Sequence, residues 1–239
     1  MLKYIFCYFS FPQDYLWPYN PFDFIHPAFN CPFDLERVGS IGDGGKWVCG
    51  MTKYELNKKR PCVVYSFGVS QDSEFENAIL SRTNCEIWGY DFSVNGWASQ
   101  LNKSYVDRAH FKKIGIGNTT DKLRSPPFYT LKDLMKENKH DYIDIMKMDI
   151  EGSEFDSLSA FVGEFSSPDV ELPIGQLLVE IHIRQAEPQD PFEMPQTLPA
   201  WLEFWEAMEM KGMREVFIEP NLYGNKLRYG YPAFAEVSP

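Results

Sequence analysis

The 239-residue sequence lacks a block of lysines and arginines, because its 23 basic residues are mixed with 34 acidic ones and the formal net charge is −11. Nucleic-acid binders normally concentrate positive charge on one surface, so no nucleic-acid partner is expected.

The chain also lacks an apolar stretch of the roughly 20 residues that a membrane-spanning helix requires, so no transmembrane segment is expected. Residues 1–11, MLKYIFCYFSF, have a short apolar core like a signal peptide but no small-residue cleavage site. We interpret them as a packed arm rather than the stub of a longer anchor.

Cysteine pairs with metal-binding spacing are also missing. The five cysteines, at positions 7, 31, 49, 62 and 85, include no C-x-x-C pair, and no histidine lies at zinc-finger spacing. A structural zinc site is therefore not supported. Two disulfides with Cys7 left over would suit the secretory pathway, whereas free buried cysteines are equally ordinary in the cytoplasm. The sequence leaves the disulfide state and the compartment open.

From Pro61 onward, strand patterns alternate with helix patterns. Apolar and β-branched runs are followed by segments that begin at capping residues, such as Ser73 with Glu76 and Thr130 with Asp133. The predicted strands cover 62–67, 85–90, 110–116, 141–150, 175–183 and 213–220. This order predicts an α/β fold with a doubly wound, mostly parallel sheet and helices on both faces. The last stretch, 227–238, is expected to add an antiparallel strand.

The predicted domain organisation has two parts. Residues 1–36 form an irregular arm, because 11–36 are rich in proline and aromatic residues without a period. Residues 37–239 form a single α/β domain, since this length can bury one full core.

The loop after the first predicted strand has little glycine. Gly68 stands alone where a dinucleotide-binding enzyme would have G-x-G-x-x-G, which argues against a nicotinamide cofactor. Asp91 follows the second strand, 23 residues later, where an acid commonly binds ribose hydroxyls. It is equally suited to cap a helix over the following residues. A nucleoside cofactor without a pyrophosphate, such as S-adenosylmethionine, would explain a ribose acid without a phosphate loop.

Acidic residues also end the predicted strand 141–150, which is nearly continuously apolar. Ligands of parallel sheets bind beyond the carboxyl ends of the strands, where Asp149 and Glu151 are expected. Asp149 would bind the ammonium group of a cofactor or orient an acceptor. Glu151 has an equally good explanation as an acid near a helix N-terminus, where the helix dipole favours it.

Glu180 and His182 lie one residue apart in the apolar segment VEIHI, so they share a face of the fifth strand. His182 is the candidate general base, with Glu180 to orient it or to bind a metal beside Asp149. The alternative is a core histidine bonded to a carbonyl group. In the loop GDGGKW (42–47), Lys46 is expected to be exposed, and the loop is equally consistent with a lid or a plain turn.

Six ordered blocks of the sequence carry a family resemblance: RVGSIGDGGKWVCG (37–50), CVVYSFGVSQDSEFE (62–76), IWGYDFS (87–93), YIDIMKMDIEGSEFDSL (142–158), GQLLVEIH (175–182) and FIEPNL (217–222). They resemble the FkbM-related methyltransferase-domain family over nearly the whole chain from about residue 31. The resemblance implies the class I methyltransferase fold, with a seven-stranded sheet and an antiparallel last hairpin. It also implies methyl transfer from S-adenosylmethionine, to an oxygen, without identifying the acceptor.

The resemblance also implies roles for individual residues. The first cofactor loop would be Tyr65, Ser66, Phe67 and Gly68, although methyltransferases generally place an acidic residue and several glycines there. Asp91 would bind the ribose, and Asp149 with Glu151 would lie beside the methionine end of the cofactor.

The sequence therefore predicts an S-adenosylmethionine-dependent methyltransferase acting on a hydroxyl of a small molecule or glycan, with no bound metal. Asp149, Glu180 and His182 are the candidate catalytic residues. Two alternatives remain. A nucleotide-sugar glycosyltransferase would hold a divalent metal between Asp149 and Glu151, and a cofactor-binding module would lack turnover. The oligomeric state is not indicated.

Overall fold

The computed structural model describes residues 21–41, 44–57, 59–165, 167, 170–182, 195, 197–221 and 234–238. Its strands are β1 (Leu35–Val38), β2 (Lys46–Cys49), β3 (Val63–Phe67), β4 (Glu86–Tyr90), β5 (Ala109–Lys112), β6 (Gly115–Ile116), β7 (Phe128–Tyr129), β8 (Ile145–Met148), β9 (Leu177–His182), β10 (Phe217–Pro220) and β11 (Phe234–Ser238). Its α-helices are α1 (Met51–Leu56), α2 (Glu74–Arg82), α3 (Leu131–Asn138), α4 (Glu154–Glu164) and α5 (Leu198–Glu209).

The main sheet has the strand order β10-β11-β9-β8-β3-β4-β5. The five strands from β9 to β5 run parallel to their neighbours. In contrast, β11 lies between β9 and β10 and is antiparallel to both. The predicted parallel sheet is thus confirmed for five strands rather than seven, and the last two strands form the expected antiparallel pair. The strand order reverses at β3, which has β4 on one side and β8 on the other, and such a reversal opens a crevice beyond the strand ends.

Buried side chains cover both faces of this sheet. Successive residues of a strand point to opposite faces, and Val64 and Tyr65 of β3 accordingly belong to two different apolar clusters. Tyr65 packs in the cluster formed with α3, α4 and α5, whereas Val64 packs with residues of α1 and α2. All four residues of β8 are buried, which explains why three of them are apolar instead of alternating with polar residues, Lys147 being the exception.

The predicted strand 110–116 is two strands in the structure. The backbone turns where the N–H of Ile114 donates to the carbonyl of Lys112, so β5 ends at Lys112. The next two residues form β6, which pairs with β7 in a separate small sheet. The remaining predicted strands of the main sheet are present, generally with shorter bounds.

The N-terminal region is described from residue 21, so residues 1–20 of the predicted arm lie outside the described part. Phe22 is buried against the ring of Trp201 in α5, with ring centroids 5.5 Å apart. β1 begins at Leu35 and pairs antiparallel with β2, so the first described strand starts two residues before the predicted domain boundary. The division into an arm and one domain stays a prediction. In the described residues, no helix combines the length and apolar character needed to cross a membrane.

Candidate active site

A cavity of about 640 Å³ lies beyond the carboxyl ends of the parallel strands. Most of the residues predicted to form a site line this cavity: Phe67, Gly68, Asp91, Asp149, Glu151, Glu180 and His182. Tyr65 and Ser66 do not line it. The cavity lies where the strand order reverses, which is the position expected for a ligand of an open α/β sheet.

The first loop is held against the end of β8 at Gly68. This residue has a φ of +77°, and a Cβ atom there would lie 1.7 Å from the carbonyl oxygen of Asp149. Only glycine avoids both the left-handed strain and this collision. The N–H of Gly68 donates to the carbonyl of Tyr90, so the same residue ties the loop to the end of β4.

A buried charged network supports this loop from below. The hydroxyl of Ser66 donates to Glu76 Oε1 at 2.5 Å, and Lys147 Nζ lies 3.5 Å from the same oxygen. Lys147 Nζ also donates to the carbonyl of Gly68 at 3.2 Å. The capping box predicted for Ser73 and Glu76 is therefore wrong, because Glu76 turns into the core and Ser73 Oγ accepts instead from the N–H of Ala98. A lysine inside a buried strand, here Lys147, requires a charged or hydrogen-bonding partner. Its presence is the signal in the sequence that indicates this network.

Tyr65 points away from the cavity. Its hydroxyl accepts a hydrogen bond from Asn138 Nδ2 and lies 2.8 Å from His140 Nδ1. Burial raises the pKa of this hydroxyl to about 12, despite the hydrogen bonds from Asn138 and Tyr90. The Tyr65 side chain therefore reaches α3 and its C-terminal turn, and only its backbone belongs to the first loop.

Asp91 joins two loops at the other end of the cavity. Its Oδ2 accepts from the N–H of Ser70 at 2.8 Å, and its Oδ1 accepts from the N–H of Ser93 at 2.7 Å. Residues 92–96 form bends instead of the helix considered from the sequence, so Asp91 caps a turn. Burial alone would raise the pKa of Asp91, but the hydrogen bonds from Ser93 and Ser70 lower it below its ordinary value. The side chain is therefore a carboxylate at neutral pH.

Four carboxylates surround His182 at the end of β9. His182 Nδ1 donates to Glu154 Oε1 at 2.9 Å. His182 Nε2 lies 3.8 Å from Asp149 Oδ1, 3.9 Å from Glu151 Oε2 and 4.0 Å from Glu180 Oε1. Burial alone would lower the pKa of His182, but the charge and hydrogen bond of Glu154, followed by the charges of Asp149 and Glu180, raise it to about 10. At neutral pH the ring is therefore an imidazolium.

Glu154 was not predicted from the sequence. It is the first residue of α4 and is fully buried. Its two carboxylate oxygens accept hydrogen bonds from the N–H groups of Ile150 and Gly152, each at 3.0 Å. These bonds hold the turn before α4, where the N-cap residue Ser153 makes no side-chain capping bond. Glu154 also fixes the orientation of the His182 ring.

Lys46 contributes a positive charge to the same cluster. Its side chain is 1% exposed, and its Nζ lies 3.3 Å from Glu180 Oε2 and 3.6 Å from Asp149 Oδ2. Glu180 Oε1 accepts a further hydrogen bond from Asn221 at 2.7 Å. The expectation that Lys46 is exposed is wrong, because the acids at the ends of β8 and β9 draw it inward. Residues 42 and 43 of the GDGGKW loop lie outside the described residues.

The fold and the cavity define the class of protein first: a Rossmann-like α/β protein with an acid-lined ligand pocket at the carboxyl edge of its sheet. Residues 15–231 match the model of a family described as a methyltransferase domain. Because this match covers most of the chain, the protein belongs to that methyltransferase-domain family.

Solved structures with similarity to the chain include two at 10% sequence identity. One is a TehB-like SAM-dependent methyltransferase from Corynebacterium glutamicum, with a TM-score of 0.35 over 79% of this chain and 83% of that chain. The other is the fibrillarin pre-rRNA processing protein of Methanococcus jannaschii, with a TM-score of 0.38 over 86% of this chain and 96% of that chain. No curated protein matches the chain.

Proposed function

We propose that the protein is an S-adenosylmethionine-dependent methyltransferase that methylates a hydroxyl oxygen of a small molecule or glycan, and that it is related to the FkbM branch. The family match supports methyl transfer in general. The observation that carries the more specific proposal is the layout of the cavity. Asp91 follows β4, and the cluster of Asp149, Glu180 and His182 belongs to β8 and β9 on the other side of β3, so the two lie at opposite ends of the cavity.

The Asp91 end is proposed to hold the nucleoside of the cofactor. Asp91 is ionised, and its Oδ2 accepts one hydrogen bond from Ser70, which leaves capacity for a ribose hydroxyl. The backbone at Gly68 approaches the cavity closely because no side chain intervenes.

The opposite end is proposed to hold the methionine part of the cofactor and the acceptor. In the reaction, the acceptor oxygen attacks the methyl carbon, the carbon–sulfur bond breaks with its electron pair staying on sulfur, and the hydroxyl proton leaves. Most of the rate gain in such a step comes from positioning the two reactants in line. Asp149 is proposed to orient the cofactor ammonium or the acceptor, with Glu151 beside it. His182 is the proposed acid–base group, and it must give up its Nε2 proton before it can take one.

Isothermal titration with S-adenosylmethionine and S-adenosylhomocysteine tests the proposal. We expect saturable binding of both, and we expect Asp91→Ala to weaken it by about tenfold or more, because a hydrogen bond to a charged group contributes roughly 1.5–3 kcal/mol. Asp107→Ala, which removes an exposed acid from the helical turn at 103–108, is the matched control and should leave binding unchanged.

The alternatives predict different results in the same titration. Binding of a nucleotide sugar with Mn²⁺, without binding of S-adenosylmethionine, would favour a glycosyltransferase and contradict our proposal. Methyl transfer to a broad panel of hydroxyl compounds can be monitored with a labelled methyl group. Cofactor binding without any such transfer would favour a module without turnover. Unchanged cofactor affinity in Asp91→Ala would limit Asp91 to joining its two loops.

A further inference from the structure

We propose that Asp149, Glu151 and His182 form a binding site for a divalent transition-metal cation, which holds and activates the acceptor hydroxyl. This inference rests on the proposed methyltransferase function for the role of the ion. The site itself is argued from the geometry of the three side chains.

The three side chains present suitable ligand atoms to one point. A carboxylate oxygen of Asp149, one of Glu151 and a ring nitrogen of His182 all lie within 4.8 Å of one another. His182 Nε2 is 3.8 Å from Asp149 Oδ1 and 3.9 Å from Glu151 Oε2. An ion with bonds of roughly 2.0–2.2 Å bridges two ligands as far apart as about 4 Å. An ion can therefore be accommodated by small side-chain rotations, without movement of the strands.

The orientation of His182 matches that of a metal-binding histidine. Such a histidine normally donates its second ring N–H to a carboxylate, which fixes the ring and directs the other nitrogen to the metal. Here Nδ1 donates to Glu154, which is fully buried and is itself held by the N–H groups of Ile150 and Gly152. Glu154 lies outside the three ligands, so this contact is evidence independent of the cluster. It leaves Nε2 directed toward Asp149 and Glu151.

The balance of charge also favours a bound cation. Asp149, Glu151, Glu154 and Glu180 bring four carboxylates within 4.0 Å of the His182 ring. Lys46 offsets one of these charges through its contacts with Glu180 and Asp149, and the proton on the His182 ring offsets another until a metal ion displaces it. A divalent ion would supply beside Asp149 and Glu151 the positive charge that the displaced proton had supplied.

The donor set indicates which kind of ion would bind. Two carboxylate oxygens with one imidazole nitrogen suit a first-row transition metal such as Mn²⁺ or Zn²⁺ better than Ca²⁺, which prefers six to eight oxygens. Three protein ligands leave coordination positions open, as catalytic metal sites do. The cluster lines the cavity, and the Glu151 side chain is 67% exposed, so an acceptor has access to those positions.

The ion would act as a Lewis acid without changing its oxidation state. A hydroxyl group bound to it loses its proton to water more readily, because the cation lowers the hydroxyl pKa. The resulting alkoxide oxygen forms the new bond to the methyl carbon, the carbon–sulfur bond breaks, and S-adenosylhomocysteine leaves. With a metal bound, His182 serves as a ligand, and water takes over the role of proton acceptor that was proposed for His182 above.

The site is tested by titrating chelator-treated protein with Mn²⁺. Binding is monitored as the loss of the free-ion signal in electron paramagnetic resonance. We expect one saturable site, displaced by Zn²⁺, whose affinity falls at least tenfold in His182→Gln and in Glu151→Gln. Glu151→Gln is the variant least able to disturb folding, because its side chain is largely exposed. Glu154→Gln should weaken binding by about 10-fold to 100-fold, the range typical of groups that orient a ligand.

Asp72→Asn is the matched control, because Asp72 lines the same cavity outside the cluster and should not affect Mn²⁺ affinity. Equal Mn²⁺ affinity in wild type, Glu151→Gln and His182→Gln would overturn the proposal. Titration with S-adenosylhomocysteine separates the two hypotheses. Cofactor binding without a metal site would sink only this inference, and a metal site without cofactor binding would sink the proposed function instead.

Discussion

The ammonium group of Lys46 lies 3.3 Å from Glu180 Oε2, although 134 residues separate them in the chain. Their side chains are 1% and 4% exposed, so the ion pair is buried. Lys46 begins β2, which is paired only with β1 among the described strands, whereas Glu180 lies in the main sheet. The contact therefore couples the N-terminal strand pair to the floor of the cavity. It also accounts for the burial of Lys46, which directly follows Gly44 and Gly45.

Replacing Lys46 should destabilise the protein strongly. Lys46→Met removes one buried cation from Glu180 and Asp149, and breaking such a pair typically costs on the order of 3–5 kcal/mol of unfolding free energy. Urea unfolding measures this change. Lys103→Met removes an exposed lysine and should have little effect. Adding Glu180→Gln to Lys46→Met should recover part of the loss, because it removes the unpaired charge. A loss below about 1 kcal/mol for Lys46→Met would contradict a buried ion pair and match a surface one.

Gly68→Ala should be far more damaging than an alanine at an open glycine. The new Cβ would lie 1.7 Å from the carbonyl oxygen of Asp149, and a φ of +77° already costs alanine about 1–3 kcal/mol. Relief requires the first loop to move away from β8, which breaks the contact from Lys147 to the Gly68 carbonyl. Gly96→Ala is the control, because a Cβ there meets nothing within 4 Å. Equal melting temperatures for the two variants would show that the first loop does not pack tightly against β8.

The fold was largely predictable because local patterns specify it. Buried parallel strands are mostly apolar, and β3, β4, β8 and β9 follow this rule except at a few polar positions such as Ser66, Lys147 and Glu180. Ligands of parallel sheets bind beyond the carboxyl ends of the strands, and Asp91 and Asp149 both follow parallel strands, so the sequence predicts that they line one cavity, as they do. Neither prediction needs knowledge of which distant side chains meet.

The rest of the site could not be predicted, because it depends on contacts between distant residues. Glu76 fits a capping pattern with Ser73 as well as it fits a buried position, and only the packing of α2 against β3 decides between them. The same holds for Lys46, since a lysine after several glycines normally lies on a surface turn. Its burial depends on Glu180, which comes from the far end of the chain.

Two disulfides are expected in protein produced under oxidising conditions. Cys31 and Cys49 have Cα atoms 5.7 Å apart, and the Cα atoms of Cys62 and Cys85 are 4.3 Å apart. Alkylation without a reductant, followed by mass spectrometry, should label at most one of the five cysteines. Reduction should lower the free energy of unfolding by about 3 kcal/mol for each bond, because the loops they close are similar in length. Labelling of four or more cysteines in freshly purified native protein would contradict the pairing and favour a reducing compartment.

The stability of the protein should fall in mild acid partly because of His140. Its Nδ1 lies 2.8 Å from the Tyr65 hydroxyl, and its ring packs edge-on against Trp88, with centroids 4.3 Å apart. Burial is the main cause that lowers the pKa of His140 below its ordinary value of 6.5, and the charge of His110 adds to it. The charges of Glu86 and Asp141 oppose the shift without cancelling it.

The sign of the effect follows from this direction. Near and below pH 6.5 the unfolded chain binds a proton at His140 more readily than the folded chain does. The unfolding free energy contributed by this group is therefore present above pH 6.5 and is lost as the pH falls toward the pKa of His140 in the folded protein. The difference in unfolding free energy between wild type and His140→Gln should therefore shrink between pH 8 and pH 5, measured by urea unfolding. His26→Gln, which removes an exposed histidine, is the control for the effect of losing any titratable ring on the unfolding free energy. A difference that stays constant, or grows in acid, would mean that the folded protein does not favour the neutral ring.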